Sequence, residues 1–278
     1  VGPTIAGILI AVVGEGISIL INAVSYIAVL GSLLLMRLSP FERVQKQHHV
    51  WRSLREGFGY AFGFPPIRAL IIIVGLISLF GMPFTVLLPV FARDILHGGA
   101  NTLGYLMGAS GFGALAGAMF LAQRKSVVGL GKVIIFTMSL FGLALMAFSF
   151  STIFMLSLVL MLFTGFGMIV TMASCNTLLQ TLVDDDKRGR VMSLYATAFM
   201  GMAPIGSMLA GSVAEQIGVA YTLLGCGFLC AVSVIPFAVH RPRLRRMVQP
   251  IYERLGIVPE IATGLQSASN LTAPPEDR

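Results

Sequence analysis

The sequence predicts an all-α integral membrane protein, and three observations predict it. Of 278 residues 56% are hydrophobic and only 11% charged, against about 25% charged in an ordinary soluble domain. The apolar residues fall in runs of about twenty, the length a helix needs to cross the hydrocarbon core. The stretch from Asp184 to Gly218 joins a charged turn to an apolar segment carrying Gly201, Ala203, Pro204, Gly206, Ser207, Ala210 and Gly211. Such a mixture suits a membrane helix whose small residues let neighbours approach and whose neighbours satisfy the groups that a proline frees.

Taken in order, residues 1 to 13 are apolar but too few to cross comfortably, and Glu15 and Gly16 read as the turn after a truncated helix. The sequence is therefore expected to be an N-terminally truncated fragment. A span of about twenty residues follows and stops at Arg37. Residues 37 to 66 form the longest internal polar stretch, in which Trp51, Leu54, Phe58 and Phe62 recur at helical spacing, off the side that carries Arg52 and Arg55. That pattern predicts a helix lying at headgroup level, with a flexible linker as the alternative.

A third span, Arg68 to Phe91, contains Pro83 and Pro89 and ends at Arg93 and Asp94. The fourth, Leu103 to Ala122, is built on Gly104, Gly108, Gly111, Gly113 and Gly117, which predicts close helix contact. Further spans are expected at Val133 to Phe150, Ile153 to Leu178, Val191 to Ala214 after a charged turn Asp184 to Arg190, and Val219 to Val239. The tail from Arg241 to Arg278 reads as mostly disordered.

Charge supports this map. The net charge of +7 does not indicate nucleic acid, because the basic residues sit in short blocks between apolar segments. If the loops alternate sides, all but one of the 19 Lys and Arg residues fall on one side, and the exception is Arg93. So uneven a partition predicts a multi-pass protein with that side, and the C-terminus, in the cytoplasm.

Little points to catalysis or metal. Cys175, Cys226 and Cys230 lie in apolar runs with no metal-ligand spacing and are expected to pack, and His48 and His49 sit in a polar loop. No HExxH, CxxC, GxSxG or phosphate-cradling loop occurs, so no enzyme, cofactor or metal site is expected. A shift of 204 positions brings Gly7 onto Gly211 and Gly14 onto Gly218, a parallel internal repeat of the kind secondary transporters carry.

GPTIAG, REGFGYAFGFPPIRAL, LLPVFARDILHGGANTLGYLMGASGFGALAGAM, and DDDKRGRVMSLY with the downstream APIGSMLAG follow one another in that order. Over residues 1 to 240 this order resembles the major facilitator superfamily, and within it the bacterial branch of enterobactin-type siderophore exporters and macrolide or multidrug efflux permeases. The resemblance implies that about 8 of 12 transmembrane helices, helices five to twelve, are present. Residues 1–36 would be the last two helices of the first six-helix bundle and 37–66 the central cytoplasmic loop. Residues 67–240 would be the second bundle and 241–278 the tail. It further implies alternating access around a central cavity, usually with proton antiport, in the bacterial cytoplasmic (inner) membrane.

Carried over by position, Phe80, Pro83, Phe84, Thr85, Met107, Ser110, Thr171, Ser174, Asn176, Tyr195 and Phe199 are candidates to line the cavity, with ordinary helix packing as the alternative for each. Asp184, Lys187, Arg188 and Arg190 are candidates for a cytoplasmic gate, or for headgroup anchors. The loop between the eighth and ninth helices of the superfamily often holds an acid, but Ala122 and Gln123 stand here, which puts an ionic gate there in doubt. No ionisable residue falls near a span centre, so a coupling carboxylate lies either outside this sequence or at the outer mouth, at Asp94 with Arg93.

The reading is a monomeric secondary exporter of a small amphipathic molecule, a siderophore or drug, with protons and the lipid bilayer as partners and no nucleic acid. The alternatives are an uptake permease for a small metabolite, and a non-transporting membrane sensor or decayed fragment.

Overall fold

The computed structural model describes residues 2–36, 58–124 and 126–257, with side chains from Gly16 onward. Among the described residues the regular structure is helical throughout, and seven helices are long and apolar enough to cross a membrane. The difference from the eight expected spans lies in the first segment. α1 (Gly2–Leu35) is one unbroken helix of 34 residues, so the turn placed at Glu15 and Gly16 does not occur. At 1.5 Å per residue it is about 51 Å long. No proline interrupts it, and a continuous helix keeps its backbone groups paired in lipid. Its side chains from Gly16 onward are almost all exposed, and it touches the bundle along α4 (Ala100–Ala122).

Residues 58–63 are helical and carry Phe58 and Phe62, stacked at 5.5 Å. Trp51, Leu54 and the rest of the expected interfacial helix lie outside the described residues, as do His48 and His49.

The third span is broken. α2 (Pro65–Leu76) runs into a wider π turn over Ile77–Gly81, in which the Met82 N–H donates to the Ile77 carbonyl at 3.2 Å, and α3 (Pro83–Asp94) restarts at the proline. Pro83 cannot donate to the carbonyl a turn before it, and its fixed φ suits a helix start. The break coincides with Pro83, whereas Pro89 sits inside α3 without one.

α4, α5 (Leu130–Ser149) and α6 (Phe154–Leu182) form the most closely packed part of the bundle. Ideal Cβ atoms built on Gly113 and Gly165 would lie 1.9 Å from the carbonyl oxygens of Leu162 and Ser110, so the α4 and α6 backbones touch. Gly117 also faces α6, whereas Gly104 faces open space. Gly142 on α5 and Gly227 on α8 (Val219–Ser233) meet in the same way, each Cβ position 2.7 Å from the other's carbonyl oxygen. Aromatic rings fill the far side, with Phe91 and Phe148 at 4.3 Å and Phe84 and Phe141 edge to face at 6.2 Å.

α7 (Asp185–Ile217) begins earlier than the sequence suggests. The charged run expected as a turn supplies its first residues, and the turn shrinks to Val183 and Asp184. Asp185 and Asp186 sit in the first turn, where carboxylates complement the helix dipole. Gly218, at φ 86°, ends α7, a conformation natural to glycine. The 204-residue repeat is not matched in backbone here, because α1 continues through Gly14 while α7 stops at Gly218.

α9 (Ile235–Arg254) corrects the tail. Residues 241–254 are helical, with Pro242 and Pro250 inside, because Leu244, Val248, Ile251 and Tyr252 recur at helical spacing and return to the bundle, Val248 being buried. Residues 258–278 lie outside the described structure.

Candidate functional site

The span broken at Pro83 meets α7, a continuous helix that carries Pro204 inside it. Pro83 leaves the Leu79 carbonyl without its helical donor, and this oxygen rests 2.0 Å from where a Cβ on Gly206 of α7 would stand. Beside it, the buried Ser78 hydroxyl donates to the Phe199 carbonyl, one residue before the Met200 carbonyl that Pro204 deprives of a partner. The contact is therefore backbone against backbone, braced by one hydroxyl, between a span interrupted by a π turn and a continuous helix that lacks one donor at Pro204.

The expected cavity residues divide by position. Pro83 and Phe84 are buried, Phe84 against Phe141. Phe80 and Phe199 are half-buried around the π turn, and Thr85 is exposed with its hydroxyl donating to Met82 O at 2.8 Å. Met107 is exposed, while Ser110 presents its carbonyl to Gly165 at the α4–α6 contact. Asn176 is half-buried and accepts from Gln180 at 3.2 Å. Tyr195 OH reaches the Met172 carbonyl at 3.4 Å. Ser174 is fully buried, and its hydroxyl finds no partner among the described residues.

The structure places Thr171 in a helix interface. Its hydroxyl lies 2.8 Å from that of Thr137 on α5 and donates to the Gly167 carbonyl at 2.7 Å, with both side chains buried. Thr171→Val is therefore expected to cost about 1 kcal/mol of stability, the net worth of such a bond, and chemical denaturation in detergent would measure it. An unchanged midpoint would mean that the threonine pair does not clasp α5 to α6.

At one end of the bundle the basic segments converge. Lys187 Nζ lies 3.6 Å from Asp184 Oδ2, and Tyr60 OH donates to the same oxygen at 3.4 Å. The Lys187 ammonium also sits 4.6 Å over the Tyr60 ring. Burial first, and then the Asp184 charge, raise the Tyr60 pKa. Arg188 pairs with Asp185 at 2.7 Å. Asp184 and Arg188 line a cleft of about 820 Å³ with Tyr60, Thr177, Gln180 and Arg254. Arg190 stands in the same helical turn region but does not line this cleft.

Tyr60 is one of several site residues that sequence reasoning missed, with Thr177, Gln180 and Arg254 in the same cleft and Ser78 at the π turn. It falls off the face traced by Phe58 and Phe62, and only the fold brings it to a carboxylate 124 positions away.

At the opposite end, Arg93 Nε and Asp94 Oδ1 pair at 2.6 Å, with side chains 75% and 50% exposed. Here two neighbours satisfy each other in an open setting. The three cysteines are buried and unpaired.

None of the expected cavity residues lines this cleft, nor a second cavity of about 260 Å³ at the same end between α2, α5, α6 and α9.

Comparison with known proteins adds the family. The chain is 25% identical over 248 residues to the staphyloferrin A transporter of Staphylococcus aureus, covering 88% of this chain and 62% of that protein. It is 26% identical over 252 residues to the multidrug efflux pump Tap of Mycolicibacterium fortuitum, covering 89% and 61%. A third relative, the uncharacterized MFS-type transporter YfmI of Bacillus subtilis, is 25% identical over 241 residues, covering 84% and 59%. The chain thus spans about three fifths of the length of these relatives. The family model for transmembrane secretion effectors matches residues 1–255, which contain all of the described helices, and the chain therefore belongs to that family of the major facilitator superfamily.

Proposed function

We propose that the protein to which these helices belong is a secondary active exporter of a small amphipathic molecule, a siderophore or a drug, working by alternating access with proton antiport. The observation that carries this reading is the similarity, over 84 to 89% of the chain, to proteins of which one is named for staphyloferrin A transport and another for multidrug efflux. The geometry supports it. The span broken at Pro83, pressed at its π turn against α7 near Pro204, is a place where the bundle can bend without first breaking a complete helical ladder.

In this reading the basic end faces the cytoplasm of a bacterial inner membrane. Among the described residues Arg93 is the exception to that clustering. The Asp184, Lys187 and Tyr60 cluster then links the segment before α2 to the α6–α7 turn, and acts as a gate that opens and closes with the cleft.

Cells expressing the protein should accumulate less of a fluorescent amphipathic drug, or release more siderophore, and an uncoupler should abolish the difference. An effect that survives the uncoupler removes proton antiport. Asp94→Asn should leave export close to that of the parent protein, because the exposed Arg93–Asp94 pair is satisfied locally. Loss of export in that variant, with normal membrane levels, would instead place the coupling carboxylate at the outer mouth.

A further inference from the structure

The 260 Å³ cavity at the basic end is not explained by a transport cycle. We propose that it binds the phosphate headgroup of an anionic phospholipid, with Lys132, Arg241 and Arg245 holding the phosphate while Leu70, Leu178 and Val248 receive the start of an acyl chain.

Three observations converge on an anion. Among the described residues, the three cations line one cavity, no carboxylate lines it, and none of the three has an ion-pair partner. The Nε of Arg241 lies 4.0 Å from where a Cβ on Gly131 would stand, in the first turn of α5, and that turn contains no acidic residue. A guanidinium beside the positive end of a helix is a like-signed arrangement, and an anion between them removes the conflict. Elsewhere at this end Lys187 and Arg188 are matched with Asp184 and Asp185, and Arg243 and Arg246, also without an ion pair among the described residues, lie outside the cavity.

The other half of the cavity decides which anion. Leu70, Leu178 and Val248 are no more than 8% exposed and form an apolar floor beneath the cations. Free phosphate has no use for that floor, whereas a phospholipid places charge and hydrocarbon at this spacing. The cavity also lies at the end where the bundle concentrates its arginines, and in membrane proteins such clusters lie beside the headgroups. α9 then acts as a strap that the lipid fastens to α5.

The test uses the purified protein in nanodiscs of phosphatidylcholine doped with phosphatidylglycerol, with retained lipid counted by native mass spectrometry after extraction into detergent. The parent protein should retain phosphatidylglycerol over phosphatidylcholine. The double variant Arg241→Gln, Arg245→Gln should lower that preference about tenfold, since each basic residue near the surface contributes appreciably to anionic-lipid binding. The double variant Arg243→Gln, Arg246→Gln removes the same charge from the same helix but outside the cavity, and should keep the preference. Val248→Trp leaves every charge in place and fills the apolar half, and should also lose the lipid. Thermal unfolding of each variant shows that it is folded.

Equal losses in both arginine pairs would reduce the effect to general attraction and overturn the site. So would the absence of any preference in the parent protein. Retention of inorganic phosphate without preference for phosphatidylglycerol would make it a free-anion site and overturn the lipid assignment. None of these readouts depends on transport.

Discussion

Gly165→Ala is expected to destabilise the bundle by at least the ~1–3 kcal/mol typical of overpacking. The new methyl would lie 1.9 Å from the Ser110 carbonyl oxygen, and a backbone atom cannot rotate away as a side chain can. α4 and α6 would have to separate along their whole contact, losing the dispersion that holds membrane helices together where no hydrophobic effect drives them. Gly113→Ala should behave alike, because its Cβ position is equally close to the Leu162 carbonyl. Gly104→Ala on the same helix meets nothing within 4 Å and should be neutral or slightly stabilising, since alanine favours helix. Thermal unfolding in detergent, followed by size-exclusion chromatography, compares the three. If Gly104→Ala costs as much as Gly165→Ala, the loss comes from helix propensity or expression and not from this contact.

Gly206→Ala is expected to lower export by about tenfold or more while the protein still reaches the membrane, a change equivalent to about 1.4 kcal/mol on a barrier. Its Cβ would stand 2.0 Å from the Leu79 carbonyl oxygen and would push α7 off the π turn. The Ser78 bond to the Phe199 carbonyl would be lost with it. The effect reaches transport because the contact lies where one span is interrupted at Pro83 and the other lacks a backbone donor at Pro204, so a displacement there changes how the spans bend against each other. Gly201→Ala, five residues earlier on α7, meets only Thr197 of its own helix at 3.9 Å and serves as the comparison. Drug accumulation normalised to the protein in the membrane separates the two. Normal export by Gly206→Ala would show that the π turn and α7 do not move against each other in the cycle.

Much of the candidate site was legible only as a set of residues, not as an arrangement. Asp184, Lys187 and Arg188 could be picked out as charges between two apolar runs, but their partner Tyr60 could not, because an aromatic in a glycine-rich segment carries no mark of what it will face. Thr171 read as a candidate to line the cavity, with ordinary helix packing as the alternative. Whether a hydroxyl faces a cavity or a second hydroxyl depends on helix rotation, which Thr137 reveals and periodicity does not. The glycines of α4 predicted close contact correctly as a group. Which of them touch was set by the crossing point with α6, since Gly113 lies there and Gly104 does not.

By itself the sequence determined the membrane-spanning helical class, most span positions and the uneven charge, because each of these follows from the local chemistry of a short segment in lipid. Composition and hydropathy decide whether a segment can leave water, whereas which proline breaks a helix does not follow from the missing N–H alone, since Pro83 does and Pro89 and Pro204 do not. Only the tertiary structure decided that α1 runs unbroken through Gly14 and that α9 carries the arginine-rich tail back onto the bundle. The first depends on whether a helix is given any reason to stop, and the second on whether Val248 finds an apolar surface to cover. The meeting of Leu79 with Gly206 and of Arg241 with Gly131 belongs to the same class. Such contacts join residues more than a hundred positions apart, and no window of sequence contains both sides of them.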